Sequence, residues 1–273
     1  NNVHLKYREK TDHVIKGLTF TAHPAEKIAC VGRTGAGKSS ILQALFRMVE
    51  IDKQAVPDCS ITIDGVDTST IGLHTLRKHI SIIPQTPFVF MGTVKTNLDP
   101  LNEHTDEEIK LALQEINLWE YISTLPNGLN TEMSNTASVF SVGQKQLICL
   151  ARVHLQNNKI LVLDEATANV DFETDNFIQR KIMERFRDST VFTIAHRLST
   201  VANYDRVLVM SKGQAVEFDN PYKLLVKEIG DEAITNTDGV FASMVMKTGP
   251  KHSAVIFEFA KKSYFERERI LNK

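Results

Sequence analysis

Apolar and polar residues alternate where the chain begins. Val3, Leu5 and Tyr7 share one side of an extended segment, the pattern of an edge strand. Val14-Ile15 and Leu18-Thr19-Phe20, split at Gly17, predict a second strand that His23-Pro24 ends. Lys27-Ile28-Ala29-Cys30-Val31 is a short buried strand, and residues 40–46 form an apolar-faced helix. Ser60-Ile61-Thr62-Ile63 running into Asp64-Gly65 is a strand entering a tight turn. Ile80-Ser81-Ile82-Ile83 is another strand, stopped by Pro84-Gln85.

Beyond residue 85 the period changes. Thr105-Asp106-Glu107-Glu108 is a capping box, followed by Ile109, Ala112, Leu113 and Ile116 at helical spacing. Helical signals continue to about Gln156, so residues 86–156 read as a helical lobe inserted into a sheet domain. The sheet resumes at Lys159-Ile160-Leu161-Val162-Leu163-Asp164, a continuous apolar run ending in an acid, as expected of a central parallel strand. Thr190-Val191-Phe192-Thr193-Ile194-Ala195-His196 is a second of the same kind. Arg206-Val207-Leu208-Val209-Met210, the turn Lys212-Gly213, and Gln214-Ala215-Val216-Glu217-Phe218 predict a hairpin. Strands alternating with helices imply an α/β sheet, whose ligands bind at the carboxyl ends of its strands. Lys38, Gln85, Asp164 and His196 all follow predicted strands and are expected to converge there.

Composition narrows the class. The 273 residues are 42% hydrophobic and carry a formal net charge of -1, which supports a sizeable core and gives no basic excess for a nucleic-acid partner. No apolar run approaches membrane-spanning length. Cys30, Cys59 and Cys149 lack metal spacing and are expected to be reduced, packed residues. The opening Asn1-Asn2-Val3, without an initiator methionine, leads us to expect a domain of a longer chain. Residues 247–273 hold seven Lys/Arg against three Glu, with Phe257, Phe259, Tyr264 and Phe265. They read as a surface helix or partly ordered tail, or else as a docking segment for a membrane surface or partner domain.

The chemistry centres on Gly32-Arg33-Thr34-Gly35-Ala36-Gly37-Lys38-Ser39, which fits the phosphate-loop pattern G-x-x-x-x-G-K-[ST] between a strand and a helix. Glycines let backbone N–H groups converge on phosphate oxygens, and the helix N-terminus adds partial positive charge. Lys38 would reach the β- and γ-phosphates and the Ser39 hydroxyl would ligate Mg²⁺. Nucleotide hydrolysis needs, besides a phosphate cradle, a carboxylate for Mg²⁺ and a group that activates water. Asp164 suits the first role and Glu165 the second; an acidic pair capping the next helix is the plainer alternative. His196 would contact the γ-phosphate and the attacking water, or is simply a core or cap residue.

Phe140-Ser141-Val142-Gly143-Gln144, before Lys145-Gln146-Leu147-Ile148-Cys149-Leu150-Ala151-Arg152, adds a piece that a generic phosphate-loop enzyme does not need. By itself it is also an ordinary helix cap. Together these motifs resemble an ATP-binding cassette (ABC) nucleotide-binding domain over residues 1 to about 246, with residues 247–273 as an extension. The resemblance implies an α/β phosphate-loop NTPase core, a mostly parallel sheet with helices on both faces, from residues 1–85 and 157–246. It implies an antiparallel β subdomain and an inserted helical subdomain, residues 86–156, bearing the signature motif. ATP would be held by Gly32 to Ser40 and Tyr7, the latter resembling the aromatic that stacks on adenine, although a packed strand tyrosine would look the same. Gln85 resembles the glutamine that senses Mg²⁺ and water, Ala168-Asn169-Val170-Asp171 the D-loop, and His196 the switch histidine. Ser141, Gly143 and Gln144 would complete the ATP site of a second, head-to-tail nucleotide-binding domain.

Finer features resemble the second such domain of C-subfamily multidrug-resistance-associated proteins: the Gly32–Ser40 loop, Phe90-Met91-Gly92-Thr93-Val94, Asn97-Leu98-Asp99-Pro100 and the run from Glu165 to Asp171. The implied function is ATP hydrolysis at the cytosolic face of a membrane, powering export of organic anions or drug conjugates through transmembrane domains. A nucleotide-sensing domain of a channel regulator is the alternative. Phe140 and Val142 replace the usual Leu and Gly of the signature, which implies an asymmetric pair of sites. The segment from Thr131 to Val139 lacks the glycines of the family's coupling loop.

Overall fold

The computed structural model describes residues 1–133, 140–164, 172–195 and 197–271. In chain order, β1 (Val3–Leu5), β2 (Ile15–Leu18) and β3 (Lys27–Gly32) lead into α1 (Lys38–Leu45). The hairpin β4 (Thr62–Ile63) and β5 (Val66–Asp67) precedes α2 (Leu73–Lys78) and β6 (Ile80–Ile83). Next come β7 (Gly92–Thr93), α3 (Val94–Leu98), α4 (Asp106–Glu115), α5 (Trp119–Thr124), β8 (Glu132–Met133) and α6 (Val142–Gln156). β9 (Ile160–Asp164), α7 (Phe172–Arg185), β10 (Thr190–Ile194) and α8 (Leu198–Val201) follow. The chain ends in β11 (Arg206–Ser211), β12 (Gln214–Asp219), α9 (Pro221–Leu225), α10 (Val240–Met246) and α11 (Pro250–Leu271).

Packing divides the described chain into two compact units. One comprises Asn1–Lys78 and Phe192–Lys273, the other His79–Val191, so β10 has residues in both. In the first unit the strand order is β12-β11-β3-β10. β3 and β11 are parallel with Ala29 opposite Val207, and β12 runs antiparallel to β11. β3 is buried along residues 27–31, as its unbroken apolar run requires of a strand covered on both faces. β1 and β2 form a separate antiparallel pair whose Val3, Leu5, Ile15 and Leu18 are all buried. β4 and β5 close a tight hairpin in which Asp64 and Gly65 both take positive φ.

The second unit has order β10-β9-β6, with β6 parallel to β9. Thr105 caps α4 through the expected capping box with Glu108. The buried face of α4, Ile109, Ala112 and Leu113, shares one apolar cluster with Ile148, Cys149 and Ala151 of α6 and Ile178 and Ile182 of α7. That cluster also takes in Ile83, Leu161 and Leu163, so this unit is broader than the 86–156 stretch of helical texture.

The basic C-terminal stretch is an ordered helix with a buried face. Ile256, Phe257 and Ala260 of α11 are buried. The rings of Phe257, Tyr264 and Phe265 surround Tyr222 of α9 at 5.8, 5.3 and 5.7 Å. Arg267 adds an ion pair to Asp205 at 2.6 Å. Phe257→Ala should destabilise the chain by about 3–5 kcal/mol in urea unfolding, the usual cost of truncating a buried phenylalanine. Phe259→Ala, at a half-exposed position two residues on, should change stability by no more than about 0.5 kcal/mol.

Candidate functional site

The phosphate loop is built in the first unit, where β3 ends at Gly32 and α1 begins at Lys38. Gly37 caps α1 with φ 99°, a left-handed conformation that favours glycine. Gly32 is required by space: a Cβ there would stand 2.4 Å from the Met210 carbonyl oxygen of β11. The turn after β11 braces the loop from outside. Gly213 N donates to Ala36 O at 3.0 Å, and Lys16 N of β2 donates to Gly213 O at 2.8 Å.

Lys38 is only 6% exposed. Its ammonium donates to Gly32 O at 2.8 Å and Arg33 O at 3.3 Å. Among the described residues its acceptors are neutral carbonyls, so the positive charge is held inside the turn and is left to meet an anion. Arg33, Thr34, Gly35 and Ser39 are exposed on the loop, whereas Ala36, Gly37 and Ser40 are buried. Behind the loop, burial pushes the Cys30 thiol up to about 12, against the opposing effect of Lys38, so this cysteine is a packed strand residue. Tyr7 is half-exposed, and its hydroxyl lies 2.9 Å from Ser40 Oγ. Tyr7 lies beyond the end of β1, with its ring half-exposed beside the loop.

In the second unit, β6 and β9 pair in register with Ile83 opposite Leu163. Pro84-Gln85 and Asp164 therefore leave the sheet side by side at its carboxyl edge. Gln85 is exposed and Asp164 half-buried. The signature segment begins α6, with Ser141 as N-cap. Gln144 N donates to Ser141 Oγ at 3.2 Å and Ser141 N donates to Gln144 Oε1 at 2.8 Å, a complete capping box. The segment is thus a helix cap, and its exposed Ser141 and the half-buried Gly143 and Gln144 are where an anion would meet the helix N-terminus. Glu165, the D-loop stretch Ala168-Asn169-Val170-Asp171 and His196 lie outside the described residues, as does most of the glycine-poor segment before the signature.

Sequence reasoning missed the residues that tie α6 to the Gln85 segment. Buried Gln146 donates Nε2–H to Pro84 O at 3.2 Å. Arg152 donates to Phe88 O and Asn97 O, and stands over the Phe90 ring. A polar residue inside the apolar face of α6 was the available signal, but its partners lie more than fifty residues away. Gly213 was equally unmarked, because its turn looks like any hairpin turn.

The phosphate loop fits a nucleoside triphosphate. The cradle has no room for a side chain at Gly32 and holds a cation at its centre. Among the described residues no group of three or more His, Cys, Asp or Glu could hold a metal ion.

The chain matches the ABC transporter family over residues 15–168. It is 48% identical over 267 residues to "ATP-binding cassette sub-family C member 4" of Mus musculus, covering 98% of this chain and 19% of that protein. It is 46% identical over 255 residues to "Probable multidrug resistance-associated protein lethal(2)03659" of Drosophila melanogaster, covering 93% of this chain and 18% of that protein. The chain thus spans about a fifth of the length of these relatives. Its fold matches a bacterial Atm1-family ABC exporter with ATP bound, with TM-score 0.79 and 30% identity over 92% of this chain and 41% of that one. With the phosphate loop, the capped signature helix and the paired β6–β9 edge in place, the chain belongs to the ABC transporter family and resembles members of its sub-family C.

Proposed function

We propose that the chain is the second nucleotide-binding domain of an exporter, working at the cytosolic face of a membrane and driving transport of organic anions or drug conjugates. The observation that carries this reading is the buried Lys38 ammonium, held on loop carbonyls at the start of α1.

In this proposal Gly32 to Ser40 wrap the triphosphate with backbone N–H groups, Lys38 neutralises β- and γ-phosphate charge, and Tyr7 stacks on adenine. Ser39, Gln85 and Asp164 hold Mg²⁺, directly or through its waters. Glu165 accepts the proton of the attacking water, and His196 fixes the γ-phosphate. The metal, when bound, supplies charge stabilisation for in-line attack. Ser141, Gly143 and Gln144 face the nucleotide of a second, head-to-tail domain, and the Gln85 segment transmits the motion to transmembrane domains. The pinning of that segment by Gln146 and Arg152 supports this coupling, because the signature helix and the Gln85 turn then move together. The channel-regulator reading is not favoured, since the Drosophila melanogaster relative carries the name of a probable multidrug resistance-associated protein.

Lys38→Ala should abolish most of the rise in thermal midpoint that ATP gives the wild-type chain, leaving the midpoint of the nucleotide-free chain within a few degrees. In the assembled transporter, Glu165→Gln should leave ATP binding intact and lower hydrolysis by roughly 10²–10⁴-fold, the usual contribution of a positioned base. Turnover within threefold of wild type would remove Glu165 from that role. Because each site needs a second domain, specific activity of this chain alone should be low and should climb with protein concentration; fast, concentration-independent hydrolysis by a monomer would contradict the shared-site reading.

A further inference from the structure

The loop between β1 and β2, residues 6–14, carries Tyr7, and both of its stems meet on one carboxylate. Lys6 Nζ lies 2.8 Å from Asp52 Oδ2, and His13 Nε2 donates to the same oxygen at 2.9 Å. Ala55 N donates to the other oxygen at 3.1 Å. Asp52 is itself anchored, because its backbone N–H donates to His4 O of β1 at 2.9 Å. The His4 ring meets that of His13 edge-on, 5.2 Å between centroids. At 8% exposure Asp52 is nearly buried, and its neighbours, Lys6 foremost, hold its carboxyl well below the usual carboxylate range.

An ionised carboxylate is seldom buried for packing. Here it joins residue 6, just before Tyr7, to residue 13, where the chain turns into β2. Between these points the loop has its own turn, with Thr11 N donating to Arg8 O at 3.1 Å. Tyr7 lines an open cleft of about 350 Å³ together with Lys6, Arg8, Asp52 and Lys53, and its hydroxyl reaches Ser40 on the phosphate-loop side. The ring is therefore fixed from two directions: by Ser40 at its hydroxyl and by the Asp52 clamp at its backbone.

We propose that Asp52, through Lys6 and His13, is a positioning residue for recognition of the adenine base: it holds the Tyr7 loop closed so that the ring meets a purine at little ordering cost. This rests on the reading of Tyr7 as the base-stacking residue. The clamp acts on the base and not on the phosphates, which the Gly32–Ser40 loop binds without it.

The test compares ATP with inorganic tripolyphosphate, which carries the phosphates without the base, by calorimetric titration of this chain. Tyr7→Ala serves as the reference and Asp52→Asn as the probe. Asp52→Asn should weaken ATP about fivefold or more, as loss of a base–aromatic stack does, and leave tripolyphosphate within twofold. Amide exchange across residues 6–14 should quicken in the nucleotide-free variant. If Tyr7→Ala lowers the ATP-to-tripolyphosphate preference and Asp52→Asn does not, the clamp is overturned while the function stands. If Tyr7→Ala itself leaves the preference unchanged, the stacking role of Tyr7 falls and the clamp with it. Equal weakening of both ligands by Asp52→Asn would mark a merely structural role and also overturn it. Should Asp52→Asn not fold, Lys6→Met, which removes one stem of the clamp, is read by the same outcomes.

Discussion

An ammonium group is buried at a cost of several kcal/mol unless dipoles or a counter-charge meet it. Lys38 is buried, with its ammonium on two backbone carbonyls. That arrangement depends on the path of residues 32–37. The path depends in turn on Gly32 lying so close to β11 that a methyl group would overlap the Met210 carbonyl. The turn at Gly213 then links the loop to β2 through two backbone hydrogen bonds. One close backbone approach thus shapes the phosphate cradle and the seat of its lysine, and the Gly213 turn ties that cradle to β2.

The second unit is organised around α6. Its apolar face closes the core with α4 and α7, and its capped N-terminus presents Ser141. Its polar residues reach out of that core to the Gln85 segment, through Gln146 to Pro84 and Arg152 to Phe88. A buried hydrogen-bonding side chain of this kind loses more if its partner leaves than it gains by being present. The signature helix and the turn after β6 are therefore joined by hydrogen bonds that would be costly to break.

Most elements were legible from periodicity, because a 3.6-residue or two-residue apolar repeat is a local property. The strands at Lys27, Ile80, Lys159 and Thr190 were each expected within a residue or two, as was the capping box at Thr105. The C-terminal stretch was only partly legible. Its aromatics at 257, 264 and 265 did not announce that they would enclose Tyr222, whose own surroundings gave no local signal. The packing limits of the units were likewise hidden: β6, β9 and α7 join α6 because their apolar faces are complementary in space, not because their textures are alike.

By itself the sequence determined the phosphate-loop geometry, the signature cap and the family, since these rest on glycine's backbone freedom and on hydrogen bonds spanning three or four residues. Only the tertiary structure decided that Gly32 faces a carbonyl of a distant strand, that Gln146 and Arg152 hold the Gln85 turn, and that Asp52 gathers Lys6 and His13. Each of these joins residues between 39 and 178 positions apart. Such partners leave no trace in local spacing, because a buried charge or hydrogen bond is specified by what folding brings beside it.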